Sequence, residues 1–64
     1  MNRYHIIVSR VLNGRIVKGD GKIIPLNATT RVDADVEAQT LTGSGEVYEY
    51  VHSDGSPMTD TEIE

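Results

Sequence analysis

Three carboxylates stand at alternate positions in Asp33-Ala34-Asp35-Val36-Glu37. In an extended chain all three leave one face of the strand, spaced to hold a divalent cation or to meet a row of basic groups. An EF-hand loop opening at Asp33 would need Gly at its sixth position and Glu at its twelfth. The chain has Ala38 and Ser44 there, which excludes that motif. Farther along, Glu46-Val47-Tyr48-Glu49-Tyr50 adds two acids and two aromatic rings. Asp33, Asp35, Glu37, Glu46, Glu49, Tyr48 and Tyr50 are therefore the residues expected to touch a partner with a basic surface.

Other constellations carry less. Gly19-Asp20-Gly21-Lys22 lacks the spacing of a phosphate loop, and no Ser or Thr follows the lysine. With no cysteine there is neither a disulfide nor a thiolate metal site. His5 and His52 are far apart in sequence, and Ser9 and Ser53 sit in no nucleophile-elbow context. No catalytic residues, no metal ligands and no cofactor are expected, and the chain does not read as an enzyme. Arg10, Arg15, Lys18 and Lys22 form a basic patch that could track a nucleic-acid backbone. Single-strand binders add stacking aromatics, and this half of the chain offers only Tyr4.

The charges are split end to end. Residues 1–26 carry five cations against one acid, a net of +4, and residues 27–64 carry one cation against nine acids, a net of −8. Such asymmetry speaks of partners and steering rather than of fold. The longest apolar run is Ile6-Ile7-Val8 and no signal-peptide pattern opens the chain, so a cytoplasmic location is expected.

The elements that must position these groups read mostly as strands. Tyr4 to Leu12 is rich in β-branched residues. Asn13-Gly14 then calls for a type I′ turn into Arg15-Ile16-Val17-Lys18, setting Leu12 opposite Arg15, Val11 opposite Ile16 and Arg10 opposite Val17. Gly19-Asp20-Gly21 reads as a second turn, with a third strand from Lys22 to Leu26 that Pro25 confines to an edge. Over 31–42, Val32, Ala34, Val36 and Ala38 alternate with polar residues, which favours a strand; Asn27 or Thr29 as a cap, acids in the first turns and Gly43 as a stop favour a helix. Glu46–Val51 is a last strand, with Val47, Glu49 and Val51 on one face and Glu46, Tyr48 and Tyr50 on the other.

The fold expected is all-β, a small antiparallel meander or half-open barrel of about five strands, the alternative being α+β with one helix at 31–42. Residues 1–52 form the domain and 53–64 an acidic, flexible tail. A domain of 64 residues with no Phe and no Trp has little apolar surface to bury, which points to a homo-oligomer or a protein partner. The role expected is a non-catalytic protein-binding module, an inhibitor of viral or phage type that occupies a basic surface of its partner. The alternatives are a self-assembling structural subunit, dimeric or head to tail, and a small β-barrel that binds nucleic acid through the 10–22 hairpin.

Overall fold

Asn13 and Gly14 close the first hairpin with φ of 52° and 75°, the pair of positive values that a type I′ turn requires. The structure is a computed structural model that describes residues 3–63, and of Lys18 and Asp20 the backbone. Strand β1 (His5–Leu12) runs antiparallel to β2 (Arg15–Pro25), with Leu12 opposite Arg15, Val11 opposite Ile16 and Arg10 opposite Val17, the register expected from the turn.

The second turn does not occur. Ile23 lies opposite Ile7 and Lys18 opposite Ser9, so Gly19, Asp20, Gly21 and Lys22 are all set against Val8. The chain bulges and stays in the same strand. β1 is longer than Arg15–Lys18 can cover, and Ile23 to Pro25 take up its remaining length, which would otherwise leave backbone groups unpaired. Glycine allows the bulge at Gly21, whose φ of 73° lies in the left-handed region.

Residues 31–42 are a correction as well. They form helix α1 (Arg31–Leu41), not a strand. Thr30 caps it, its Oγ1 accepting the Asp33 N–H at 3.3 Å, and the Thr42 N–H closes it on the Ala38 carbonyl at 3.1 Å. The alternation misleads because it weighs Val and Ala alike. Ala34 and Ala38, four apart, are completely buried against the sheet, whereas Val32 and Val36 face outward, Val32 with 73% of its surface exposed. Two alanines let the helix approach the sheet closely, and Asp and Ala suit a helix start better than a strand.

Strand β3 (Glu46–Val51) pairs with the other side of β1, with Tyr50 opposite Ile6, Tyr48 opposite Val8 and Glu46 opposite Arg10. The sheet order is β2-β1-β3, which puts Ile6-Ile7-Val8 in the central strand. The architecture is therefore one open antiparallel sheet of three strands under a helix, and not a barrel. Alternation directs Ile6, Val8, Ile24, Tyr48 and Tyr50 to the helix side and His5, Ile7, Ser9, Ile23, Val47 and Glu49 to the back. The core is Tyr4, Ile6, Leu26, Ala34 and Ala38, with Val8, Ile24, Tyr48, Tyr50, Met58 and Ile63 packed around it.

Residues 53–63, read from sequence as a flexible tail, are bonded back onto the domain. The His52 N–H reaches the Ser56 carbonyl at 2.7 Å, and the Met58 N–H reaches the Tyr50 carbonyl at 3.2 Å, along the outer edge of β3. Gly55 lies against Ile23 behind the sheet. The short helix α2 (Asp60–Ile63) is capped reciprocally by Thr59 and Glu62, and the Tyr4 hydroxyl donates to the Ile63 carbonyl at 2.9 Å.

Candidate interaction surface

The seven residues expected to form an acidic contact surface do not come together as one. On a helix, Asp35 is about 200° from Asp33 and from Glu37, so it leaves on the side opposite to those two and the row of three is broken. Asp35 accepts a hydrogen bond from the Tyr50 hydroxyl. Both carboxylate oxygens of Glu37 receive the Asn27 N–H, at 3.0 and 2.9 Å, and Oε1 also takes the Ala28 N–H at 3.0 Å, which fastens the β2–α1 loop to the helix. Glu46 Oε1 accepts the Gly43 N–H at 2.6 Å and holds the turn before β3. Tyr48 and Tyr50 stack edge to face at 5.6 Å, and Tyr50 meets Tyr4 at 5.8 Å. Burial, and then the neighbouring Asp35 carboxylate, push the Tyr50 phenol well above its ordinary 10.0. Only Asp33 and Glu49 are left pointing out, on different elements.

The basic residues fare differently. Arg10 and Arg15 are exposed at the far end of the first hairpin, and among the described residues neither they nor Glu49 form an ion pair. Lys22 lies in the bulge, and the side chain of Lys18 is outside the described residues. Around these cations gather most of the exposed large apolar groups. Leu12 is 50% exposed and Ile16 66%, and Val17 and Val47 are also exposed. They fall on both faces of the sheet. Val8, Arg10, Leu12, Val17, Gly19 and Glu46 line a hollow of about 400 Å³ beyond the end of the helix. Ser9, Ile16, Val47, Tyr48 and Glu49 line one of about 590 Å³ on the other side.

Sequence reasoning missed Leu12, Ile16, Val17 and Val47 as surface residues. The signal was present: Val11-Leu12 and Ile16-Val17 put apolar groups on both faces of a hairpin, and a single short helix can cover one face of part of it. Val32 and Val36 make a second, smaller apolar patch on the outer side of α1.

The register sets His5 opposite Val51, one residue from His52. His52 Nε2 lies 2.8 Å from Glu62 Oε2, at the exposed C-terminal turn. The Thr59 backbone N–H, then the Thr59 hydroxyl and His52, hold the Glu62 carboxyl below its ordinary value. Ser56 does the same for Asp54, through its hydroxyl and then its N–H. Among the described residues no group of His, Asp or Glu is placed to hold a metal ion, and no helix is long and apolar enough to cross a membrane. No family model matches the chain, and no curated protein or solved structure matches it either.

Proposed function

We propose that the chain is a non-catalytic protein-binding module that engages its partner through the far half of its sheet. Leu12 and Val17 on the helix side of the sheet and Ile16 and Val47 on its back supply the apolar area of the contact on either side of the sheet edge, and Arg10 and Arg15 its cationic rim. The observation that carries this reading is that exposed Leu12, Ile16, Val17 and Val47 lie at the same end of the sheet as Arg10 and Arg15, which form no ion pair among the described residues. Large apolar groups with a charged rim are what protein contacts are built from: the centre supplies affinity, and the rim sets orientation and rate.

An acidic surface meeting a basic partner is the weaker reading, because Asp35, Glu37 and Glu46 already serve the fold. Nucleic-acid binding through the hairpin is weaker too. The Tyr4 ring lies under Arg3, and all three tyrosine rings pack around the core rather than beside Arg10 and Arg15, which leaves the hairpin charge without a stacking platform.

Photocrosslinking tests the proposal. A benzophenone side chain replaces Ile16 in one full-length variant and Val36 in another. Covalent capture of a polypeptide from position 16 and not from position 36 is the expected result. Capture from position 36 alone, or from neither, overturns it.

A further inference from the structure

We infer that the partner is a second copy of this chain, joined head to tail: the outer edge of β2 over Arg15–Lys18 adds to the outer edge of β3 over Glu46–Glu49 as a parallel strand. The inference rests on the protein-binding reading above and names its partner.

The lengths match. β2 pairs regularly with β1 from Arg15 to Lys18 and then departs into the bulge. The outer edge of β3 is open from Glu46 to Glu49 and is covered from Tyr50 onward, by the Met58 N–H on the Tyr50 carbonyl and by the pairing of Val51 with Pro57. An incoming Arg15–Lys18 segment thus bends away where the receiving edge ends.

The backbone groups match. A two-residue turn makes Leu12 and Arg15 a hydrogen-bonded pair, so Arg15 and Val17 bond inward to β1 while Ile16 and Lys18 present N–H and C=O outward. On β3, Gly45 bonds inward to Val11 and Tyr50 outward to Met58. By alternation Glu46 and Tyr48 face outward. A parallel ladder needs the incoming Ile16 N–H on the Glu46 carbonyl, the Tyr48 N–H on the incoming Ile16 carbonyl, and the incoming Lys18 N–H on the Tyr48 carbonyl. The Glu46 N–H, already bonded to Gly43 at 3.2 Å, is the one group this ladder does not use.

The side chains match. Both edge strands run antiparallel to β1 and therefore parallel to each other. With both helices on one side of the joined sheet, Arg15 falls beside Glu46, Ile16 beside Val47, Val17 beside Tyr48, and Lys18 in register with Glu49. Opposite charges flank two apolar pairs. Three strands span roughly 14 Å, which leaves room for adjacent helices about 10–12 Å across.

Charged edges are a usual guard against sheet pairing, but a guard works with one sign on both edges. Here the signs are opposite. Two-fold pairing of like edges would set Arg15 against Lys18, or Glu46 against Glu49, and is disfavoured. Only the head-to-tail contact is favourable, and such contacts close into rings or continue as filaments.

The test is sedimentation of the full chain over a range of concentrations, with Arg15→Glu, Glu49→Lys and Ile16→Pro. The wild type should form species larger than a dimer. Each charge variant, with one edge spoiled, should associate at least tenfold more weakly. An equimolar mixture of Arg15→Glu and Glu49→Lys should form a heterodimer and stop, because each retains the edge the other lacks. Ile16→Pro removes an N–H that β1 does not use, and should be monomeric while still folded by circular dichroism. A wild type that stays monomeric at millimolar concentration, a mixture that does not heterodimerise, or an Ile16→Pro variant that assembles normally overturns the inference. If position 16 still crosslinks to a different protein in that case, the protein-binding reading stands and only the self-pairing falls.

Discussion

At one end of the sheet Ile6 has no exposed surface; at the other, Ile16 keeps 66% of its own in contact with water. The first sits beneath α1 in one cluster with Tyr4 and Ala38, and the second near the tip of the hairpin. What separates them is cover. An 11-residue helix is about 16 Å long, whereas an 8-residue strand is about 27 Å. The helix cannot shield the whole length of β1, and Gly55 lies behind only the same near half, against Ile23. The molecule is accordingly long and narrow, 35 × 22 × 19 Å. One half of the sheet is a small protein core. The other is an extension of the same strands with nothing of its own to lie against.

Truncating each isoleucine should break or sharpen that contrast most strongly. Ile6→Ala should lower stability by about 2–5 kcal/mol, the usual loss for a large core side chain. Ile16→Ala should change the monomer by less than about 0.5 kcal/mol, as exposed substitutions do. Equal shifts in chemical denaturation would mean that the far half is buried in the free chain.

The far half is not indifferent to every change, since its turn is a backbone constraint. Gly14→Val places a β-branched residue at φ 75° and should cost about 1–3 kcal/mol, read as a fall in melting temperature. A variant that melts like the wild type would show that the hairpin tip is uncoupled from the near half.

Glu37→Gln tests the near half where it meets the loop. Losing the charge that gathers the Asn27 and Ala28 amides should cost about 1 kcal/mol and speed their hydrogen exchange, with the hairpin amides unaffected.

Two pH effects complete the set. The Tyr50 phenol is held above 10.0, so its contribution to stability is fully present below that pH and is lost as pH rises past it. Alkaline unfolding should accompany the appearance of tyrosinate absorbance, and Asp35→Asn should shift that titration downward. Glu62 behaves in the opposite sense. Its carboxyl is held below 4.5, so its contribution is present above that pH and fades as pH falls through the lower native value. Acid should disturb the methyl resonances of Met58 and Ile63 before those of Ile6. The reverse order would mean that the capped C-terminal turn is not a separable part.

Where local chemistry has one solution, the sequence was legible. Asn13-Gly14 admits a single turn type, and that turn sets three residue pairs in register. Glu46–Val51 alternates cleanly, and its faces are as its pattern implies. Legibility failed where tertiary cover decides. Gly19-Asp20-Gly21 suits a turn and a bulge equally, and only the unpaired length of β1 selects the bulge. Over 31–41 the buried side is made of alanines, which a pattern of large apolar residues does not reveal. The acids were legible as charge but not as bonds. Asp35 and Glu37 are engaged by groups that the fold, not their spacing, brings near, and Glu46 by the turn three residues before it. The exposed side of the hairpin was hidden for the converse reason, since Leu12 and Ile16 look like core until the length of the helix is known.

The Tyr4 hydroxyl and the Ile63 carbonyl meet across 59 positions of the chain. Closing a loop of that length costs roughly 3–4 kcal/mol beyond a fixed term, whereas the Asn13-Gly14 turn closes almost none. That difference predicts an order of events in folding, with the hairpin early and the clasp between the two ends of the described chain late, after the main barrier. Interactions made that late leave the folding rate alone and govern the unfolding rate instead. Tyr4 and Ile63 are thus less a condition for reaching the native state than a setting of how long the molecule remains in it.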